Sequence, residues 1–121
     1  MEDMKTDLII GAAIEVHKIL GPGLLEHIYE NALCYEFELK NIQYERQVKI
    51  DVIYKGNVIK GQRLDLLVEK EVILEIKSLI YLPEFTTAQL LSYLKATGLK
   101  RGLIINFGKK RMIDGIKRIS L

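Results

Sequence analysis

One cysteine, two prolines, no tryptophan and no long uninterrupted apolar run set this 121-residue chain apart, and several of these shortages exclude a class of protein. With Cys34 as its sole thiol, neither an internal disulfide nor a cysteine-based zinc site can form. The run Ala32-Leu33-Cys34-Tyr35 suits a packed helix residue better than a catalytic thiol. Charge breaks the apolar runs well short of a membrane span. The start Met1-Glu2-Asp3-Met4-Lys5 lacks the basic-then-apolar order of a signal peptide. A cytoplasmic protein with no membrane attachment is therefore expected. A composition of 49% hydrophobic and 28% charged residues suits one globular domain over residues 1–121, with material for a core and no room for a second.

The net charge of +2 conceals a polarity. Residues 1–94 hold 10 Lys/Arg against 15 Asp/Glu, whereas residues 95–121 hold 8 against 1. Lys100-Arg101, Lys109-Lys110-Arg111 and Lys117-Arg118 are thus candidates for neutralising phosphates, each contact adding salt-dependent affinity. A plain solvated surface is the alternative.

What the chain does have is charge in strand-like sequence. Arg63-Leu64-Asp65-Leu66-Leu67-Val68 and Val72-Ile73-Leu74-Glu75-Ile76-Lys77 are rich in branched aliphatics, with Glu69-Lys70-Glu71 as a polar turn between them. A side-chain period of two puts Glu75 and Lys77 on one strand face and Leu74 and Ile76 on the other. Asp65 can join the first pair across a hairpin. Burying such charges costs several kcal/mol per group unless something compensates. Two carboxylates and an ammonium held together are the raw material of a metal-dependent phosphodiesterase; a solvated edge strand or a simple Asp–Lys ion pair is the plainer reading.

Around this hairpin the periodicity predicts a helix over residues 4–20, stopped by Gly21-Pro22-Gly23, and a second over 24–40. Strands follow at 48–54, 58–68 and 72–79, forming an antiparallel meander. Pro83 opens a third helix, about 84–97, which Gly98 ends, and Leu103 to Phe107 reads as a buried strand. Residues 111–120 suit either a short strand or a helical turn. This order gives an α/β sandwich around a central mixed sheet. Gln89 and Tyr93, four apart, share a face of the third helix. Glu26 sits in the first turn of the second helix, where a carboxylate suits the dipole and could also ligate metal. His17 lies beside the apolar stripe of the first helix, where a core role is commoner than a functional one.

Gly23-x-x-Glu26-x-x-Tyr29, Asp65, Glu75-x-Lys77 and Gln89-x-x-x-Tyr93 together resemble the GxxExxY family, a compact branch of the PD-(D/E)XK nuclease superfamily. The similarity runs from about Ile14 to Arg118, and also covers Glu45-Arg46-Gln47, Leu99-x-x-Gly102-Leu103 and Asn106-Phe107-Gly108. It implies a restriction-endonuclease-like fold and a metal-dependent nuclease. Glu26, Asp65 and Glu75 would be acidic ligands, the backbone carbonyl of Ile76 a fourth, and Lys77 the catalytic lysine. Gln89 and Tyr93 would support the site and contact substrate. One departure is Leu64, which stands where the superfamily's name has proline. Hard cations such as Mg²⁺ or Mn²⁺ match an all-oxygen ligand set. Nucleic acid is the implied partner, DNA ahead of RNA. Strandedness, the position of cutting and a homodimer that would place two sites on two strands stay open. So does a silent binding or protein-interaction module on the same fold.

Overall fold

A computed structural model describes residues 4–121; the first three residues of the N-terminal stretch read above lie outside it. Helices α1 (Met4–Leu20) and α2 (Glu26–Leu39) lead into strands β1 (Tyr44–Tyr54), β2 (Asn57–Val68) and β3 (Val72–Lys77). Helix α3 (Glu84–Thr97), strand β4 (Arg101–Asn106), a 3-10 turn at Met112–Gly115 and strand β5 (Ile116–Ser120) complete the order. The ambiguous last stretch is therefore a helical turn followed by a strand. The second helix begins two residues later than its pattern suggests, because Leu24 and Leu25 belong to the turn. The third strand ends at Lys77, two residues early.

The five strands lie in sequence order, and all neighbours are antiparallel except β3 and β4. That parallel pair needs a crossover, which α3 supplies. Two apolar layers result. On one face α1 and α2 bury Ile9, Ala12, Val16, Tyr29, Leu33 and Phe37 against Leu66, Leu74, Ile76 and Ile105. On the other, α3 buries Leu90, Tyr93 and Leu94 against Leu64, Ile73 and Ile104. Both faces of β3 are covered, which is why its aliphatic residues do not alternate with polar ones until Glu75. The mixed α/β sandwich expected from the sequence is the fold present. Among the described residues no helix is long and apolar enough to cross a membrane.

Two details of β1 and β2 prepare the functional end. Leu64 packs on the α3 side and Leu66 on the α1/α2 side, although residues two apart in a regular strand share a face. The switch falls at Asp65. In β1 the residue opposite is Gln47, since Arg46 pairs with Leu66 and Val48 with Leu64, and Gln47 has a φ of 51°. This left-handed conformation, costly for a residue with a Cβ, lets β1 turn over together with β2.

Candidate active site

Register with β3 puts Asp65 at the fork of the sheet. Antiparallel pairing of β2 with β3 runs from Val68↔Val72 to Leu66↔Leu74; one step further, Asp65 and Glu75 face each other. There the side chains take over from the ladder. The Ile76 N–H donates to Asp65 Oδ2 at 2.9 Å, and the Asp65 N–H donates to Glu75 Oε2 at 3.3 Å. Each carboxylate thus uses one oxygen to satisfy a backbone donor that a continued ladder would have paired. Asp65 Oδ1 and Glu75 Oε1 accept no hydrogen bond among the described residues, leaving one oxygen of each for a ligand.

Glu75 is only 4% exposed. Burial pushes its carboxyl up to about 8, and the adjacent Asp65 charge adds to the rise, while the Asp65 N–H and Lys77 oppose it. Asp65 is likewise raised, first by burial, with the Ile76 N–H lowering it and the charge of Glu30 raising it further. The nearby Asp65 charge thus helps to raise Glu75, but desolvation is the larger cause for both carboxyls. A carboxylate raised by the fold holds its proton where the unfolded chain would release it. Its contribution to stability is present below the ordinary value of 4.5 and is lost as the pH climbs through about 8. In EDTA the wild type should therefore melt at a lower temperature at pH 8 than at pH 5, by roughly a few kcal/mol of stability, and Glu75→Gln should flatten that slope. Parallel melting profiles for the two proteins would sink the assignment.

Lys77 is half-buried at the end of β3, on the same face as Glu75, and its ammonium makes no ion pair among the described residues. Its charge stabilises the ionised forms of both Asp65 and Glu75. From α3, Tyr93 reaches the same end: its hydroxyl accepts a 2.7 Å hydrogen bond from Gln62 Nε2. Burial, and then the negative charge of Glu75, raise its phenol. Gln89, one turn earlier, lines the same groove as Tyr93 and Gln62.

Glu26 is placed less closely. It is the first residue of α2 and exposed, near enough for its charge to raise both Asp65 and Glu75. Among the described residues, no three His, Cys, Asp or Glu side chains form a ready-made cage for an ion. The acidic centre is therefore a pair, Asp65 and Glu75, with Glu26 on its approach. The Ile76 side chain is buried in the α1/α2 layer, so only its backbone can serve the site. All the donors are oxygens, and they lie beside a lysine, which fits a hard divalent cation and not a soft one.

Glu30 went unnoticed in the sequence, although it stands four residues after Glu26. It is buried on α2, with Arg46 Nη2 at 3.0 Å, and Gln47 Nε2 is within 3.4 Å. This ties α2 to the segment of β1 opposite Asp65. The Gly-Pro-Gly turn before α2 is also tied down. The Tyr29 hydroxyl donates to the Gly21 carbonyl and accepts from the Leu24 N–H, and its ring stacks on Phe107 at 4.4 Å. Gly21 and Gly23, at φ 69° and 108°, take the left-handed angles that glycine tolerates. His17 is buried and its Nε2 donates to the Lys109 carbonyl, 2.8 Å away, so it braces this end.

After Lys77 the chain runs through a loop held by Asn106. Its Oδ1 accepts from the N–H groups of Leu79 and Gly108, and its Nδ2 donates to the Leu79 carbonyl. A Cβ at Gly108 would fall 2.3 Å from the Leu79 oxygen, so only glycine allows this approach. The basic residues divide between the two ends of β4. Lys100 and Arg101 lie beside the start of β3, since Arg101 pairs with Val72, whereas Lys77 pairs with Asn106. The two ends are about 17 Å apart along the strand. Lys109, Lys110 and Arg111 follow the site end. Lys109 donates to the Ile80 carbonyl, Arg111 is bound to Asp114, and Lys110 is exposed.

A family model described as the PD-(D/E)XK nuclease superfamily matches residues 3–119. The chain belongs to that superfamily. Its fold is the restriction-endonuclease-like arrangement of a five-stranded mixed sheet between helices. No curated protein matches the sequence significantly. Among solved structures, that described as the crystal structure of SSO0001 is similar at a TM-score of 0.47 and 19% identity, over 97% of this chain and 77% of that one.

Proposed function

We propose that this protein is a metal-dependent nuclease that hydrolyses phosphodiester bonds, of the GxxExxY branch, with Asp65 and Glu75 as the carboxylate ligands of Mg²⁺ or Mn²⁺. The observation that carries this is the fork of the sheet. Two strands separate where Asp65 and Glu75 meet, each carboxylate is anchored by a backbone N–H through one oxygen, and each keeps the other oxygen open. A purely structural pair would gain nothing from a buried carboxyl held protonated beside a second carboxyl. The bound cation would supply Lewis acidity and lower the pKa of water, and its charge would return both carboxyls to their ionised forms. Glu26 and the Ile76 carbonyl are the remaining oxygen donors within the site.

The protein's own groups handle the rest of the reaction. Lys77, unpaired on the Glu75 face, would hold the attacking water by hydrogen bonding and offset the charge that builds on the phosphate. Tyr93, held by Gln62, and Gln89 on the same helix face would set the substrate's position over Glu75. Lys109, Lys110 and Arg111 adjoin this end and would meet the flanking phosphates, whereas Lys100 and Arg101 would touch only a substrate long enough to pass the sheet. DNA is favoured over RNA as the substrate.

The test is incubation of the purified protein with DNA and RNA panels in Mg²⁺, in Mn²⁺ and in EDTA. Cleavage that requires metal supports the reading. Binding without metal-dependent cleavage would assign the chain to a silent nucleic-acid-binding module instead.

A further inference from the structure

Beside the acids, a groove of about 210 Å³ opens between α3 and the β1–β2 hairpin. Its walls are apolar, from Ile50, Val52 and Phe85 among others, and its polar groups include Gln62, Gln89 and Tyr93. Phe85, in the first turn of α3, is 71% exposed. Four residues earlier, on the loop leaving Lys77, Tyr81 is 84% exposed, with Lys109 Nζ 5.7 Å from its ring centre. Aromatic rings this open gain little for folding, since they bury almost none of their surface. No carboxylate lines the groove, and Tyr93, one of its walls, lies near enough to Glu75 to feel its charge.

We propose that this groove and the Tyr81–Phe85 pair bind unpaired nucleobases, making single-stranded nucleic acid, or a strand unpaired at its end, the substrate that reaches Glu75 and Lys77. The inference rests on the nuclease reading and specifies its substrate class. Every base has a π-face that an open aromatic ring can stack upon, and glutamine amides can both donate to and accept from base edges. In a duplex those faces are covered by neighbouring bases, so Phe85 and Tyr81 can engage only a strand whose bases have been unstacked.

Fluorescence anisotropy in EDTA, where cleavage is blocked, reads binding directly. The probes are labelled single-stranded DNA and RNA oligonucleotides of about a dozen nucleotides, within the usual range of single-strand site sizes, and the matching DNA duplex. The single strands should bind at least roughly tenfold more tightly than the duplex, and Phe85→Ala or Tyr81→Ala should each weaken them about tenfold. Phe85→Leu should lose as much as alanine, because it keeps apolar bulk without a ring, and Phe85→Tyr should restore binding. Tyr35→Ala, on the exposed surface of α2 and on the opposite side of the sheet, should leave affinity unchanged. Melting temperatures establish that each variant folds. Equal affinity for duplex and single strand, or full binding by Phe85→Leu, would overturn the proposal. Metal-dependent cleavage accompanied by either of those results would leave the nuclease reading standing. Ring-dependent binding with no cleavage under any metal would remove the nuclease reading and leave the groove.

Discussion

Asp65→Asn and Glu75→Gln each reduce metal-dependent cleavage by more than about 10²-fold, while both proteins remain folded. Loss of a group that merely orients a metal ligand commonly costs ~10–100-fold, and loss of the ligand charge itself should exceed that. Each amide keeps its side chain's volume, so packing in the surrounding layers is undisturbed. In Asp65→Asn the amide oxygen can still accept from the Ile76 N–H, and in Glu75→Gln it can still accept from the Asp65 N–H, so the two bonds that hold the fork persist. Without metal both variants should melt at or above the wild type near pH 8, because a buried charge that the fold disfavours has been removed. Adding Mg²⁺ or Mn²⁺ should raise the wild-type melting temperature and leave that of Glu75→Gln where it was. Activity assays with thermal melts in metal and in EDTA decide the matter. Two variants that cut at the wild-type rate would leave the acidic pair without a role in catalysis.

A loss of similar size is expected at Lys77, with a different signature. Lys77→Ala and Lys77→Arg should both lose most of the cleavage, roughly 10²-fold or more, yet bind metal and nucleic acid as before. The ammonium is a compact point charge two residues from Glu75, whereas the guanidinium is wide, planar and fixed in its donor geometry. It cannot occupy the same position beside two carboxylates and a phosphate. Lys77 makes no ion pair among the described residues, so its removal breaks no direct contact, and the lost charge should show as a further rise of the Asp65 and Glu75 carboxyls. Single-turnover cleavage measured alongside binding separates the two effects. If Lys77→Arg cuts as fast as the wild type, any cation suffices at that position and the water-holding role falls.

Much of the fold was legible because its signals are local. Leu8 to Leu20 repeats at helical spacing and stops at a Gly-Pro-Gly turn; Pro83 and Gly98 bracket α3 as a starter and a terminator should. Glu75 and Lys77 could be placed on one face because strand geometry alternates whatever surrounds it. Other features lay out of reach. The basic residues read as one cationic end, but β4 runs between them and carries Lys100 and Arg101 to the opposite end of the strand. Glu30 looked like any helix glutamate until Arg46, sixteen positions away, came to lie against it. The exposure of Phe85 was equally hidden, because an aromatic at the start of a helix is as compatible with a core as with a surface.

By itself the sequence determined the elements, their order and the residues able to do chemistry, since periodicity, turn residues and side-chain type act over a few positions. The tertiary structure decided which of those residues meet. Asp65 and Glu75 converge because the β2–β3 register brings them opposite one another just where β1 and β2 turn over, and register is a relation between strands that neither strand encodes alone. Their raised carboxyls follow from the same convergence: desolvation of both, and the Asp65 charge acting on Glu75, exist only once α2, α3 and the sheet have closed around the pair.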